Sequence, residues 1–148
     1  MENFREVKIL LVEDDPGDVE LTKEVLFESK LRLKLEVAEN GLQAMEYLRK
    51  QGEYKDATSP DLILLDLNMP VKGGRETLEE IKTNQKLKHI PVVILTTSDS
   101  NLDIIKSYTA GANCYVSKPV DLSEFQKIVS AIENFWFSIV KLPENENI

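Results

Sequence analysis

The chain has 148 residues, 42% apolar and 30% charged, which suits one domain with a substantial core. A formal net charge of −8 argues against a nucleic-acid backbone or an anionic membrane as the main partner; a basic protein surface, or a cation held among carboxylates, fits better. The lone Cys114 excludes an internal disulfide and points to a reducing, cytoplasmic compartment, and no apolar run approaches the roughly 18 residues of a membrane span or opens the chain as a leader would.

Lys8-Ile9-Leu10-Leu11-Val12 is a dense apolar run, as in a strand buried on both faces, and it ends in Glu13-Asp14-Asp15. Asp15 as N-cap, Pro16 at the first helical position and Asp18 in the first turn start a helix with Val19, Thr22, Val25 and Leu26 on its apolar stripe. Leu33, Leu35 and Val37 alternate with polar or small residues, which predicts a strand nearer a sheet edge. Asn40-Gly41 reads as a turn, Leu42, Met45 and Leu48 as a short helix, and residues 53–60 as a loop. Leu62-Ile63-Leu64-Leu65 is a second buried strand and runs straight into Asp66. Gly73-Gly74 separates it from a helix carrying Leu78 and Ile81. Pro91-Val92-Val93-Ile94-Leu95 is a third dense run and ends in Thr96-Thr97-Ser98. Ser100 with Asp103 forms a capping-box pattern for a helix bearing Ile104, Ile105 and Tyr108, and Gly111 marks its end. Tyr115-Val116-Ser117 is a short strand leading to Lys118-Pro119. Asp121 with Glu124 is a second capping-box pattern, opening a final helix with Phe125, Ile128, Val129, Ile132, Phe135, Trp136 and Ile139. One domain over residues 6–143 is expected, with flexible termini at 1–5 and 144–148.

Strands alternate with helices five times, which predicts a doubly wound, five-stranded parallel sheet of the α/β class. Parallel strands all point one way, so Glu13, Asp14, Asp66, Thr96 and Lys118 converge on one rim. Crowded carboxylates repel, and a hard divalent cation such as Mg2+ removes that cost. A lysine and a hydroxyl beside them suit an anion. Together they read as a phosphoryl-transfer site with a carboxylate nucleophile. Singly, each residue has a duller role: Glu13 and Asp14 as solvated acids, Asp15 as a cap, Asp66 as a turn opener, Thr96 as a β-former, Lys118 as a surface lysine.

Leu10-Leu11-Val12-Glu13-Asp14-Asp15-Pro16, Leu64-Leu65-Asp66-Leu67-Asn68-Met69-Pro70, Val93-Ile94-Leu95-Thr96 and Gly111-Ala112-Asn113-Cys114-Tyr115-Val116-Ser117-Lys118-Pro119 resemble the receiver domain of two-component response regulators. The resemblance spans roughly residues 6–135, with Asp66 midway between Asp14 and Lys118. It implies a (βα)5 flavodoxin-like (CheY-like) fold and phosphorylation of Asp66 by a sensor histidine kinase. It implies Mg2+ held by Glu13, Asp14, Asp66 and the backbone carbonyl of Asn68, with Thr96 and Lys118 on the phosphoryl group. It further implies a switch role for Tyr115 and a candidate cis bond at Lys118-Pro119. Asn68 and Ser98 would tune water attack on the acyl phosphate. Such a chain is a phosphoacceptor rather than an enzyme, with weak autophosphatase activity at most. Gly73 departs from the pattern, since receivers commonly carry Asp before Gly74; only a loop effect is expected.

A narrower resemblance, in Asp66 to Glu76, Leu95-Thr96-Thr97-Ser98, Asn113-Cys114-Tyr115 and Ile132-Glu133-Asn134-Phe135-Trp136, is to single-domain regulators that partner bacterial phytochromes. A phosphorelay shuttle for a non-light kinase is the alternative. A haloacid-dehalogenase-type phosphatase needs a second acid two residues after its nucleophile, where this chain has Asn68. No effector domain is recognisable after residue 143, so output is expected through protein contacts. Phe135-Trp136-Phe137 and Ile139-Val140 extend the last helix beyond the usual receiver length; they suit either a homodimer surface or a cover for the domain's own core.

Overall fold

Five strands alternate with five helices in the computed structural model, which describes residues 6–28 and 33–143. The expected tails at 1–5 and 144–148 lie outside the described residues. In chain order the elements are β1 (Val7–Val12), α1 (Pro16–Phe27), β2 (Leu33–Ala38), α2 (Gly41–Leu48), β3 (Leu62–Leu65), α3 (Gly74–Thr83), β4 (Val92–Thr96), α4 (Asn101–Thr109), β5 (Cys114–Ser117) and α5 (Leu122–Asn134). The strands form one parallel sheet in the order β2-β1-β3-β4-β5. The expected fold class is therefore the observed one.

The side-chain period of two explains why the central strands read as unbroken apolar runs. Leu10, Val12, Ile63, Leu65, Val92 and Ile94 face a core closed by Met45, Leu48, Leu78 and Ile81. Ile9, Leu11, Leu62, Leu64, Val93 and Leu95 face the opposite core, closed by Leu26, Phe125, Val129 and Ile132. The alternating β2 sits on the sheet edge and is only partly buried until Ala38.

The local structure departs from the sequence expectation at several points. Asn40-Gly41 is a helix start, not a free turn: Asn40 caps α2 by accepting from the Gln43 N–H at 2.8 Å. Gly41 is required by contact, since a Cβ there would lie 2.0 Å from Thr77 Oγ1. Leu42 is exposed, while Met45 and Leu48 are buried as expected, together with Ala44 and Tyr47. A 3-10 turn, Gly52–Tyr54, interrupts the expected 53–60 loop. Both expected capping boxes are half made: Ser100 and Asp121 cap, but no reciprocal bond returns from Asp103 or Glu124, whose carboxylates pair elsewhere. No peptide bond among the described residues is cis, so the Lys118-Pro119 candidate is overturned; the long lysine stem reaches its partners across a trans bond.

The final helix does extend. Past Asn134 it continues as a π-helical turn, Phe135–Ile139. Trp136 is only 9% exposed and belongs to the core on the α1–α5 side, while Phe135 and Ile139 point outward. The covering role is thus real for Trp136. No helix among the described residues is long and apolar enough to cross a membrane.

Candidate functional site

The topology itself makes the site. The chain leaves β1 for β2 on one side and returns to β3 on the other, so a crevice opens where the strand order reverses. Glu13 and Asp14 follow β1 there, and Asp66 follows β3. The ladder continues just past the strand ends: the Glu13 N–H donates to the Ala38 carbonyl at 2.9 Å, Asp66 N–H to Val12 at 3.1 Å, and Lys118 N–H to Thr96 at 2.6 Å. These bonds fix the backbone under each functional side chain.

Glu13, Asp14 and Asp66 each present a carboxylate oxygen within 4.8 Å of the others. Glu13 and Asp66 are buried and Asp14 is exposed. Three oxygens that close, one of them open to solvent, fit a hard cation that keeps part of its water shell. Lys118 lies over them. Its ammonium is buried, bonds Glu13, donates to Asp18 Oδ2 at 2.9 Å and stands 3.7 Å from Asp66 Oδ2. Burial works against the Lys118 charge, but bonds to Glu13 and Asp18, and the Asp66 charge, outweigh it and hold its pKa above the ordinary value. Burial pushes the Glu13 carboxyl up, and contact with Lys118 opposes that shift.

Thr96 is fully buried at the end of β4, and its Oγ1 has no hydrogen-bond partner among the described residues. An unpartnered buried hydroxyl costs about 1–3 kcal/mol, a cost that an incoming acceptor oxygen would remove. Asn68 N–H approaches Asp66 Oδ1 at 3.4 Å, so the residue expected as a tuner adjoins Asp66. Tyr115 packs against the α2–α3 core, and its hydroxyl donates to the Ser98 carbonyl at 2.8 Å. Burial raises its pKa, so the phenol is a donor at neutral pH. The α3 start closes the site from beneath. The Gly74 N–H donates to Leu67 O at 2.9 Å, and a Cβ on Gly74 would stand 2.0 Å from the Asp66 carbonyl oxygen.

All the strand-end residues named from the sequence therefore meet on one rim. Asp18 was expected only as a favourable charge in the first turn of α1, yet it pairs with Lys118. The signal existed: the turn after β1 lies on the same rim as every other strand end. Arg75 and Asp103, bonded at 2.7 Å, were also missed as neighbours, because they stand on different helices far apart in sequence. Asp15 behaves as read, capping α1 through the Gly17 and Asp18 N–H groups.

An acid triad, a lysine and a hydroxyl at the switch point of a β2-β1-β3-β4-β5 sheet define a receiver, and comparison agrees. The profile of the response regulator receiver domain family matches residues 9–130, and the chain belongs to that family. It is 50% identical over 135 residues to the response regulator Rcp1 of Synechocystis sp., covering 91% of this chain and 92% of that protein. The fold superposes on the crystal structure of the phosphorylated cyanobacterial phytochrome response regulator RcpA with a TM-score of 0.93 and 48% identity, covering 95% of this chain and 100% of that one. The Mn2+-bound form of Rcp1 follows at TM-score 0.91 and 49% identity, covering 93% and 99%.

Proposed function

We propose that this chain is the phosphoacceptor of a two-component pathway, taking a phosphoryl group onto Asp66 from a phosphohistidine of a sensor histidine kinase. The observation that carries the reading is the Lys118 ammonium set between Glu13 and Asp66, with Asp14 within cation-sharing distance. In transfer, an Asp66 carboxylate oxygen bonds to phosphorus while the P–N bond breaks. The imidazole leaves with the electron pair. Lys118, 3.7 Å from Asp66, exchanges carboxylate partners for the new phosphoryl oxygens, and Thr96 donates its hydroxyl to one of them. Glu13, Asp14, Asp66 and the Asn68 backbone carbonyl would hold Mg2+. When bound, that ion offsets the charge gathering on the carboxylates and the phosphoryl oxygens.

A phosphoryl group adds about −1.5 to −2 charges at Asp66. Drawing Thr96 inward toward it stabilises Tyr115 in the space beside Thr96, and the surface over residues 98–121 follows. Output then runs through protein contacts rather than nucleic acid. Phe135 and Ile139, exposed beside the buried Trp136, are the apolar groups a homodimer through the C-terminal helix would cover. The likeness to Rcp1 and RcpA favours a phytochrome-type light sensor as the kinase, over a shuttle role for another kinase. The chain is read as cytoplasmic, and as non-enzymatic apart from slow loss of its own phosphoryl group, tuned by Asn68 and Ser98. The test is transfer from purified phytochrome-type and unrelated histidine kinases to wild type and Asp66→Asn. The reading expects fastest transfer from the phytochrome-type kinase and none to the variant; persistent labelling of Asp66→Asn would remove Asp66 from its role.

A further inference from the structure

We propose that Arg75 is a positioning residue for phosphoryl turnover at Asp66, acting through Asp103 on the Ser98 segment and so on Tyr115. The proposal rests on the reading of Asp66 as phosphoacceptor and names a control on that same site.

Asp103 uses both carboxylate oxygens, one on Arg75 of α3 and one on Ser98 just ahead of its own helix. Oδ1 accepts from Arg75 Nη2 at 2.7 Å, and Oδ2 accepts from the Ser98 hydroxyl at 2.6 Å. The Ser98 carbonyl then accepts the Tyr115 hydroxyl at 2.8 Å. One continuous chain of polar bonds therefore joins α3, the N-terminus of α4, the segment two residues past Thr96, and β5. Arg75 and Asp103 also line, with Asn68 and Leu67, a cleft of about 240 Å3 beside the Asp66 loop. The Arg75 Nε in that pair is buried and has no partner among the described residues.

Local helix chemistry argues against a plain staple. Ser100 caps α4, and the position of Asp103 suits a bond back to the Ser100 N–H. That bond is given up: the Ser100 N–H faces Ser98 Oγ at 3.3 Å, and the Asp103 carboxylate is turned to Arg75 and Ser98. Sequences break local rules chiefly where a site requires it. A part-exposed ion pair alone would add only about 0–1 kcal/mol. Here the pair instead fixes where the Ser98 carbonyl stands. That carbonyl holds Tyr115 against the core, where it pairs with Ile94, two residues before Thr96 on β4. The arrangement favoured by phosphorylation is thus supported from α3, by a residue that touches neither the phosphoryl group nor Asp66.

The test uses the full chain with acetyl phosphate and Mg2+. The Asp66 oxygen bonds to phosphorus, the P–O bond to the acetyl group breaks, and acetate leaves with the electron pair. Arg75→Ala is expected to label about five- to tenfold more slowly than wild type, the lower range of ordinary coupling between sites. Arg75→Lys, which keeps the charge, should recover part of the rate. In a Tyr115→Phe background the same Arg75→Ala change should add little, because the bond it supports is already gone. Thermal unfolding of each variant separates folding from turnover. Wild-type rates in Arg75→Ala, or full additivity with Tyr115→Phe, overturn the proposal and leave only a staple. A wild-type chain that takes no phosphoryl group at Asp66 overturns the underlying reading, and the proposal with it.

Discussion

Val71 adopts φ +67° in the loop that follows Asp66, and its side chain is 78% exposed. A β-branched residue in the left-handed region is strained, and no buried contact offsets that strain. Val71→Gly should therefore raise stability by roughly 1 kcal/mol, read as a higher denaturation midpoint at unchanged m. Lys82 supplies a pH prediction. Its ammonium donates to the Lys88 and Ile90 carbonyls at 3.0 and 2.7 Å, and burial pulls its pKa from 10.5 to about 8. Between those values the unfolded chain holds the proton and the folded chain does not. Stability from this group thus rises with pH across that window and is absent below it. Urea midpoints from about pH 8 to pH 10 should climb in wild type and climb less in Lys82→Met. Tyr47, pushed by burial up to about 12, opposes the trend only above its ordinary value of 10.0. Cys114, whose thiol burial also pushes up, opposes it above 9.0, so the difference between wild type and Lys82→Met is the reading that isolates Lys82. The strand-end residues were legible because each terminates an apolar run. Val71 and Asp18 were not: one depends on a backbone angle, the other on a lysine from the far end of the chain.

The α3 start shows what a helix N-terminus does for the site. Gly73 caps α3 without any side-chain bond, and a Cβ there would meet only the Leu67 carbonyl at an ordinary 3.6 Å. Gly73→Asp should be accommodated and stabilise by a few tenths of a kcal/mol, with the phosphorylation rate close to wild type. Gly74→Ala should behave oppositely, because its Cβ would collide with the Asp66 carbonyl. At the other end, Trp136→Ala removes a core side chain and should cost about 3–5 kcal/mol in equilibrium unfolding. Helix faces were the least legible elements. Ile104, Ile105 and Tyr108 mark α4 as a helix, yet Ile105 and Tyr108 are half exposed and Ser107 is the buried residue. Periodicity marks a helix, but it does not say which neighbours arrive to cover its apolar side. The aromatic run after Asn134 posed the same problem, and the structure resolves it by turning Trp136 in and Phe135 out.

At the scale of the molecule, the alternation of five strands and five helices was enough to give the fold class, because parallel strands require crossovers and gather their ends on one rim. It was not enough to give the strand order, which places the β1 and β3 ends side by side at the reversal. That order turns separate acids into a cluster and sets Lys118 over it. Mapping the acyl phosphate after incubation with acetyl phosphate and Mg2+ tests this most directly. Borohydride reduction converts a phosphorylated aspartate to homoserine, and mass spectrometry locates it. The account predicts homoserine at position 66, lost when the cation is chelated. Modification at another residue, or labelling indifferent to chelation, would contradict it.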